Sequence, residues 1–201
     1  MAKEIVLASN NMGKAGEFAA ILEPLGVQIR LQKDFAVPEV DENGLSFIEN
    51  ALIKARHAAK YSHMPALADD SGLCVDALKG APGIHSARYC GEWGKDQENN
   101  DKLLEALKHV PEGQRQAHYY VALAYVRHAE DPVPIIVTAS WEGAIGLTPR
   151  GSNGFGYDPL FQVTGRDLTA AQLPPQIKNC ISHRARALAL LAAEFRRCHE
   201  I

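Results

Sequence analysis

Two spacings of apolar residues alternate along the first half of this chain. Ile5-Val6-Leu7-Ala8 is an unbroken apolar run of strand length, and Ala15–Leu25 carries a helical pattern. Val27-Gln28-Ile29-Arg30-Leu31 alternates apolar and polar, which predicts a second strand. Pro38 through Gly44 is an acidic loop. Ser46-Phe47-Ile48-Glu49 then has the capping-box spacing that predicts a helix to Tyr61, with Phe47, Ile48, Ala51, Leu52, Ala55 and Ala58 as its apolar stripe. Pro65-Ala66-Leu67-Ala68 enters a strand expected to end at Asp69-Asp70-Ser71-Gly72, and another helix fits Asp96 to His109.

The second half has a different rhythm. Tyr119–Arg127 and Pro134–Trp141 are β-rich runs separated by Ala129-Glu130-Asp131-Pro132, the pattern of a long antiparallel hairpin. A Gly-rich loop, Arg150 to Asp158, precedes Pro159-Leu160-Phe161-Gln162-Val163. The last pattern is a helix capped by Ser182, with Leu188, Leu191 and Phe195 as core positions. Alternating βα units followed by a hairpin predict an α/β protein with a mixed sheet, extended into two lobes with a cleft between them. No internal repeat or long linker divides residues 1–201, so one domain is expected.

Composition narrows the function classes. The chain is 46% hydrophobic and 22% charged with a net charge of -3, against a general binder of nucleic acid or membrane surfaces. Any phosphate site must be a local concentration of Lys and Arg. No apolar stretch has the length of a membrane span, and Met1-Ala2-Lys3-Glu4 leads into a strand without the apolar core of a signal peptide. Cys74, Cys90, Cys180 and Cys198 lie far apart without C-x-x-C spacing, as expected of reduced, partly buried thiols in a cytoplasmic protein.

Five groups of residues carry candidate chemistry. Ser9-Asn10-Asn11-Met12-Gly13-Lys14 joins a strand to a helix, a place where backbone N–H groups meet anions, and Lys14 adds a point charge. The other reading is a plain helix entrance with Ser9 or Asn10 as N-cap. Asp69 and Asp70 could bind a hard cation, and in extended backbone they would point to opposite faces; Glu39, Asp41 and Glu42 read first as a solvated cluster. Asn50, Lys54 and His57 share one helix face, either lining a phosphate pocket or simply exposed. In Asn153-Gly154-Phe155-Gly156-Tyr157-Asp158-Pro159, Phe155 could stack on a planar base while Asp158 reads its edge. Alternatively Phe155 and Tyr157 are core anchors of a Gly-rich turn. His183 and Arg184 place cations at a helix N-terminus, against the dipole, which suggests a bound anion or an arginine pointing to solvent.

Taken in order, these pieces resemble the inosine triphosphate pyrophosphatase family, the hydrolases of non-canonical purine nucleoside triphosphates. The resemblance runs through Ser9–Lys14, Gly44–Ala51 with Lys54-Ala55, Ala68-Asp69-Asp70-Ser71-Gly72-Leu73, Gly80–Tyr89, Gly154–Pro159 and Ser182-His183-Arg184. It implies an elongated mixed-sheet α/β fold of two lobes, a homodimer, and an Mg²⁺-dependent site in the cleft. It further implies that Ser9, Asn10, Asn11, Met12, Gly13, Lys14 and Ser71 hold phosphates, and that Asp70 is catalytic. Glu42 and Asp70 would hold the metal, and Phe155, Gly156, Tyr157, Asp158, Lys178, His183 and Arg184 would grip base and sugar. The implied reaction releases pyrophosphate from ITP, dITP or XTP. An aspartate near its reference pKa of about 3.9, lowered further by a cation, would position water more than accept its proton. A Maf-like pyrophosphatase and a non-catalytic nucleotide sensor are the competing readings.

Overall fold

The computed structural model describes residues 3–201; Met1 and Ala2, the start of the stretch read above for a leader, lie outside the described residues. Strand β1 (Lys3–Leu7) is the apolar run expected, with Ile5, Val6 and Leu7 fully buried. Burial on both faces is the signature of a parallel strand covered on each side. It pairs in parallel with β2 (Val27–Leu31), Ile5 opposite Ile29, and with β3 (Ala66–Val75), Leu7 opposite Leu67. Parallel neighbours need crossovers. Helix α1 (Met12–Leu22) connects β1 to β2, and α2 (Phe47–Ser62) lies between β2 and β3.

The remaining strands are β4 (Gln116–Val126), β5 (Ile135–Ile145) and β6 (Phe161–Val163). They complete a six-stranded sheet of order β2-β1-β3-β4-β5-β6, in which β6 runs antiparallel to β5. The sheet is therefore mixed, as the pattern predicted, and β4 and β5 are neighbours. Three more helices flank it: α3 (Asp96–Ala106), α4 (Pro175–Ile181) and α5 (His183–Arg197). No helix among the described residues is long and apolar enough to cross a membrane.

Several boundaries differ from the pattern. β3 does not stop at Ser71-Gly72 but continues to Val75, because Leu73 and Val75 are fully buried core residues. α3 ends at Ala106 rather than His109. The buried Arg115 guanidinium donates to the Leu107 and Val110 carbonyls (2.8 and 2.9 Å) and so satisfies acceptors just past the helix end. Along α2 the alanines of the expected stripe are buried, whereas Phe47, Ile48 and Leu52 are only partly so. Helix α4 has no apolar periodicity and was not expected. All four cysteines are free, and Cys180 is exposed, not partly buried.

The chain divides into two compact units, one of residues up to Asp70 with Val121–Ala139 and Arg184–Ile201, the other of Ser71–Tyr120 and Ser140–His183. Each has its own core. In the first, Phe18 and Leu22 of α1 and Leu188, Leu191 and Phe195 of α5 bury against Ile5, Leu67 and Tyr125, with Tyr125 edge-on to Phe195 (4.7 Å). In the second, Trp141, Tyr119 and Phe161 pack with Leu103 and Leu107, and Trp141 and Phe161 are 5.3 Å apart. Truncating a fully buried aromatic removes transfer free energy and leaves a cavity. Phe18→Ala and Trp141→Ala should therefore each lower unfolding free energy by about 3–5 kcal/mol, measured by urea denaturation. A cost below about 1 kcal/mol would contradict either core assignment.

Candidate active site

In the first unit, the loop after β1 and the start of α1 form one structure. Asn11, not Ser9 or Asn10, is the N-cap: its Oδ1 accepts from the Lys14 N–H at 3.0 Å. Ser9 Oγ accepts the Asn11 N–H at 3.1 Å, which folds the loop back on itself. Met12, Gly13 and Lys14 thus lie in the first helical turn and not in the loop. Their N–H groups belong to the end of a helix where intrahelical acceptors are lacking and the dipole is positive. The Lys14 ammonium is not held out to solvent but paired with the Asp69 carboxylate.

Strand alternation explains the two acids on β3. Asp69 and Asp70, 3% and 8% exposed, project to opposite sides and meet different cations. Asp69 pairs with Lys14 and with Arg184, whose Nε donates to Oδ2 at 2.8 Å. Arg184 NH1 also donates to Glu17 Oε2 on α1 at 2.7 Å. Burial alone would raise the Asp69 carboxyl, but Arg184 and Lys14 outweigh it and hold it well below the usual carboxylate range. The anion suggested by cations at the start of α5 is thus supplied by the chain itself, from Asp69 and Glu17. Arg184 does not point to solvent.

Asp70 has a different environment. Its Oδ1 accepts from Lys54 Nζ at 2.7 Å, and the same ammonium donates to Glu42 Oε2 at 2.9 Å. Asp70 Oδ2 is buried without a hydrogen-bond partner. Burial pushes the Asp70 carboxyl up to about 6, because Lys54 offsets only part of the desolvation and the Glu42 carboxylate adds to it. Glu42 is less buried, and Lys54 holds it below its ordinary value in spite of its own burial. Without a cation bound, the Asp70 carboxyl thus lies above its ordinary value. Glu39 and Asp41 are exposed, as a solvated cluster should be, and Glu42 alone turns inward. Lys54 turns inward too, whereas His57 donates Nε2–H to the Pro38 carbonyl (2.9 Å) and takes no part. Asn50 is buried and accepts the Gly44 N–H at 2.8 Å, fixing the loop that carries Glu42.

In the second unit, Ser71 continues β3 past Asp70 and is half-buried. Phe155 and Tyr157 separate into the two alternatives read from the sequence. Tyr157 is a core anchor, 3% exposed, with its hydroxyl donating to the Ser86 carbonyl at 2.8 Å. Phe155 is 44% exposed, and Lys178 Nζ sits 5.0 Å from its ring centroid. Asp158 is buried and accepts from Tyr119 OH (3.2 Å), from the Phe155 N–H (3.0 Å) and from Lys178. Its carboxylate is thus committed to the loop and to Lys178 instead of standing open for a base edge. Gly154, at φ +78°, leaves the space that Asp158 fills, since a Cβ there would lie 2.0 Å from Oδ2. His183 is buried and stacks on Tyr119 at 4.9 Å and 11°.

Two groups of site residues escape the sequence reading. Glu17 was not singled out, and Asp69, read as a possible cation ligand, instead joins Glu17 in neutralising Arg184. Tyr119, Asp96 and Asn100 support the 154–158 loop from elements far away in the chain, which no local spacing reveals.

The Ham1 family pattern matches residues 5–194 of this chain. A dITP/XTP pyrophosphatase of Shigella flexneri is 54% identical over 189 residues, which cover 94% of this chain and 96% of that protein. One of Methylococcus capsulatus is 52% identical over 196 residues, 98% of each. Among solved structures, a HAM1 protein from Coxiella burnetii matches with a TM-score of 0.92 and 47% identity, covering 97% of this chain and 99% of that one. Fold, motif order and identity over almost the whole length agree, and the chain belongs to the Ham1 family.

Proposed function

We propose that this protein hydrolyses the non-canonical purine nucleoside triphosphates dITP, ITP and XTP to the monophosphate and pyrophosphate. The observation that carries the reading is the Glu42–Lys54–Asp70 arrangement, with one buried Asp70 oxygen unpartnered, in a chain over half identical to dITP/XTP pyrophosphatases. Phosphate binding falls to Ser9–Lys14 and Ser71: the first-turn N–H groups of α1 and the Lys14 ammonium suit oxyanions. Base recognition falls to Phe155, with its exposed ring, and to His183, with Lys178 beside the ring. Arg184 and Asp158 enter as anchors of Asp69 and of the 154–158 loop.

Glu42 and Asp70 fit Mg²⁺. Both offer hard oxygen donors, and Asp70 Oδ2 is buried without a hydrogen-bond partner. That is the donor set expected of Mg²⁺, which uses one or two carboxylates and takes its other ligands from water and substrate phosphate. Bound there, the ion would neutralise charge on the triphosphate. The protein's own groups account for the remainder. Lys14 and Lys54 offset the negative charge that gathers on the leaving pyrophosphate. Asp70 orients the water whose oxygen bonds to the α-phosphorus as the α–β bridging oxygen departs. Burial raises the Asp70 carboxyl in the metal-free protein, and a bound cation would lower it again, so Asp70 positions that water more than it takes its proton.

The homodimer and the cytoplasmic location suggested by the family resemblance belong to this proposal, and light scattering of the purified protein tests the first.

Pyrophosphate release should be Mg²⁺-dependent and efficient with dITP, ITP and XTP, and poor with ATP and GTP. Equal kcat/KM on ATP and ITP would overturn the specificity, and tight binding without turnover would make the protein a sensor. Asp70→Asn should lose about 1,000-fold in kcat and still bind dITP. In metal-free protein, carboxyl ¹³C NMR should show Asp70 protonating as pH falls through about 6. Added Mg²⁺ should move that midpoint down, because a cation favours the carboxylate. A midpoint that Mg²⁺ leaves in place would remove Asp70 from the metal site.

A further inference from the structure

Gly156 is held at both ends of its backbone by one helix. Its N–H donates to Asp96 Oδ2 at 2.7 Å, and its carbonyl accepts from Asn100 Nδ2 at 2.9 Å. Asp96 and Asn100 are one turn apart on α3 and so share a face. Asn100 Nδ2 also donates to the Asp96 carbonyl at 2.9 Å, which ties the two contacts together. The neighbouring residues are fixed as well: the Phe155 N–H by Asp158 (3.0 Å) and the Tyr157 hydroxyl by Ser86 (2.8 Å). Gly156 adopts φ +61°, a backbone conformation that other residues rarely take. One side chain in this stretch is left to face outward, the ring of Phe155.

Helix stability does not explain Asn100. It is 7% exposed, and its Oδ1 is buried without a hydrogen-bond partner. Asparagine is a mediocre helix former, and a buried amide oxygen left unpaired is costly. What the residue supplies is the donor on Gly156. Asp96, in the first turn of α3, suits the helix dipole, but its carboxylate is spent on the Gly156 N–H.

We propose that Asp96 and Asn100 are positioning residues for base selection, clamping the Gly156 peptide so that the Phe155 ring is presented in one pose. The inference rests on the base-binding role given to Phe155 above. A ring held before the ligand arrives loses little freedom on stacking, so a planar purine binds more tightly and a mismatched one gains nothing from loop adjustment. Releasing the clamp should weaken binding of the preferred base and narrow the gap to others, while the phosphate chemistry of the first unit is unaffected.

The test uses full-length Asp96→Ala, Asn100→Ala and Asp96→Asn. The two alanine variants should raise KM for dITP about 10-fold with kcat within about 2-fold, and should lower the dITP/dGTP ratio of kcat/KM. Asp96→Asn keeps an acceptor oxygen and should stay near wild type. Hydrogen exchange of the Phe155 and Gly156 amides should speed up about 10-fold in the alanine variants with no nucleotide present. An unchanged KM and ratio, a fall in kcat alone, or an Asp96→Asn that behaves as Asp96→Ala would each overturn the inference. Should Asn100→Ala fail to fold, the Asp96 pair decides, because Asp96 is exposed. Wild-type protein inactive on dITP would instead sink the functional reading, and the exchange rates would still judge the clamp.

Discussion

Two consecutive carboxylates buried in one strand impose a constraint that the first unit is built around. Desolvating a carboxylate costs several kcal/mol, so each needs its own cation, and alternation in β3 prevents them from sharing one. Asp69 takes Lys14 from α1 and Arg184 from α5, while Asp70 takes Lys54 from α2. Three helices are thereby tied to one strand through the ends of their charged side chains. Glu17 completes the account by meeting the second nitrogen of Arg184, which would otherwise carry positive charge into a helix N-terminus.

The same constraint separates the two acids chemically. Asp69 faces two cations, which hold its carboxyl well below the usual carboxylate range in spite of its burial. Asp70 shares a single ammonium with Glu42, so its burial is undercompensated and its carboxyl rises. Neighbours in sequence thus acquire opposite properties from the number of cations each meets. Pushing two carboxyls apart in this way is how proteins assign acid–base roles within one site. Lys54 couples the pair, since its charge is divided between Glu42 and Asp70.

The sequence was most legible where periodicity and local chemistry coincide. β1, β2, α2 and the core positions of α5 follow from apolar spacing, and the mixed sheet follows from their order. The β3 boundary was misjudged because Ser71-Gly72 resembles a turn, while burial of Leu73 and Val75 keeps the strand extended. Asn11 took the cap because Ser9 instead bonds the Asn11 N–H, a choice among neighbouring polar residues that propensity does not resolve. Long-range pairing was invisible. Nothing in the spacing of Glu17, Asp69 and Arg184 announces that they meet, and α4 lacks any periodic signal. In the Gly-rich loop Tyr157 is the buried anchor and Phe155 is not, because only one of the two rings turns into the core.

That division of labour distinguishes the two units. In the first, charge placement dominates: Asp69 and Asp70 are each matched by cations from the helices. In the second, the loop around Phe155 is fixed mainly by hydrogen bonds to its backbone, from Asp158, Asp96 and Asn100. Backbone contacts fix geometry without presenting a charge to the ligand, and geometry is what a stacking ring requires. Under the proposed base-binding role, selectivity would depend on the stiffness of this loop, because a flexible ring would stack on any purine. Lys178 belongs to the same loop: its ammonium pairs with buried Asp158 and lies 5.0 Å from the Phe155 ring centroid.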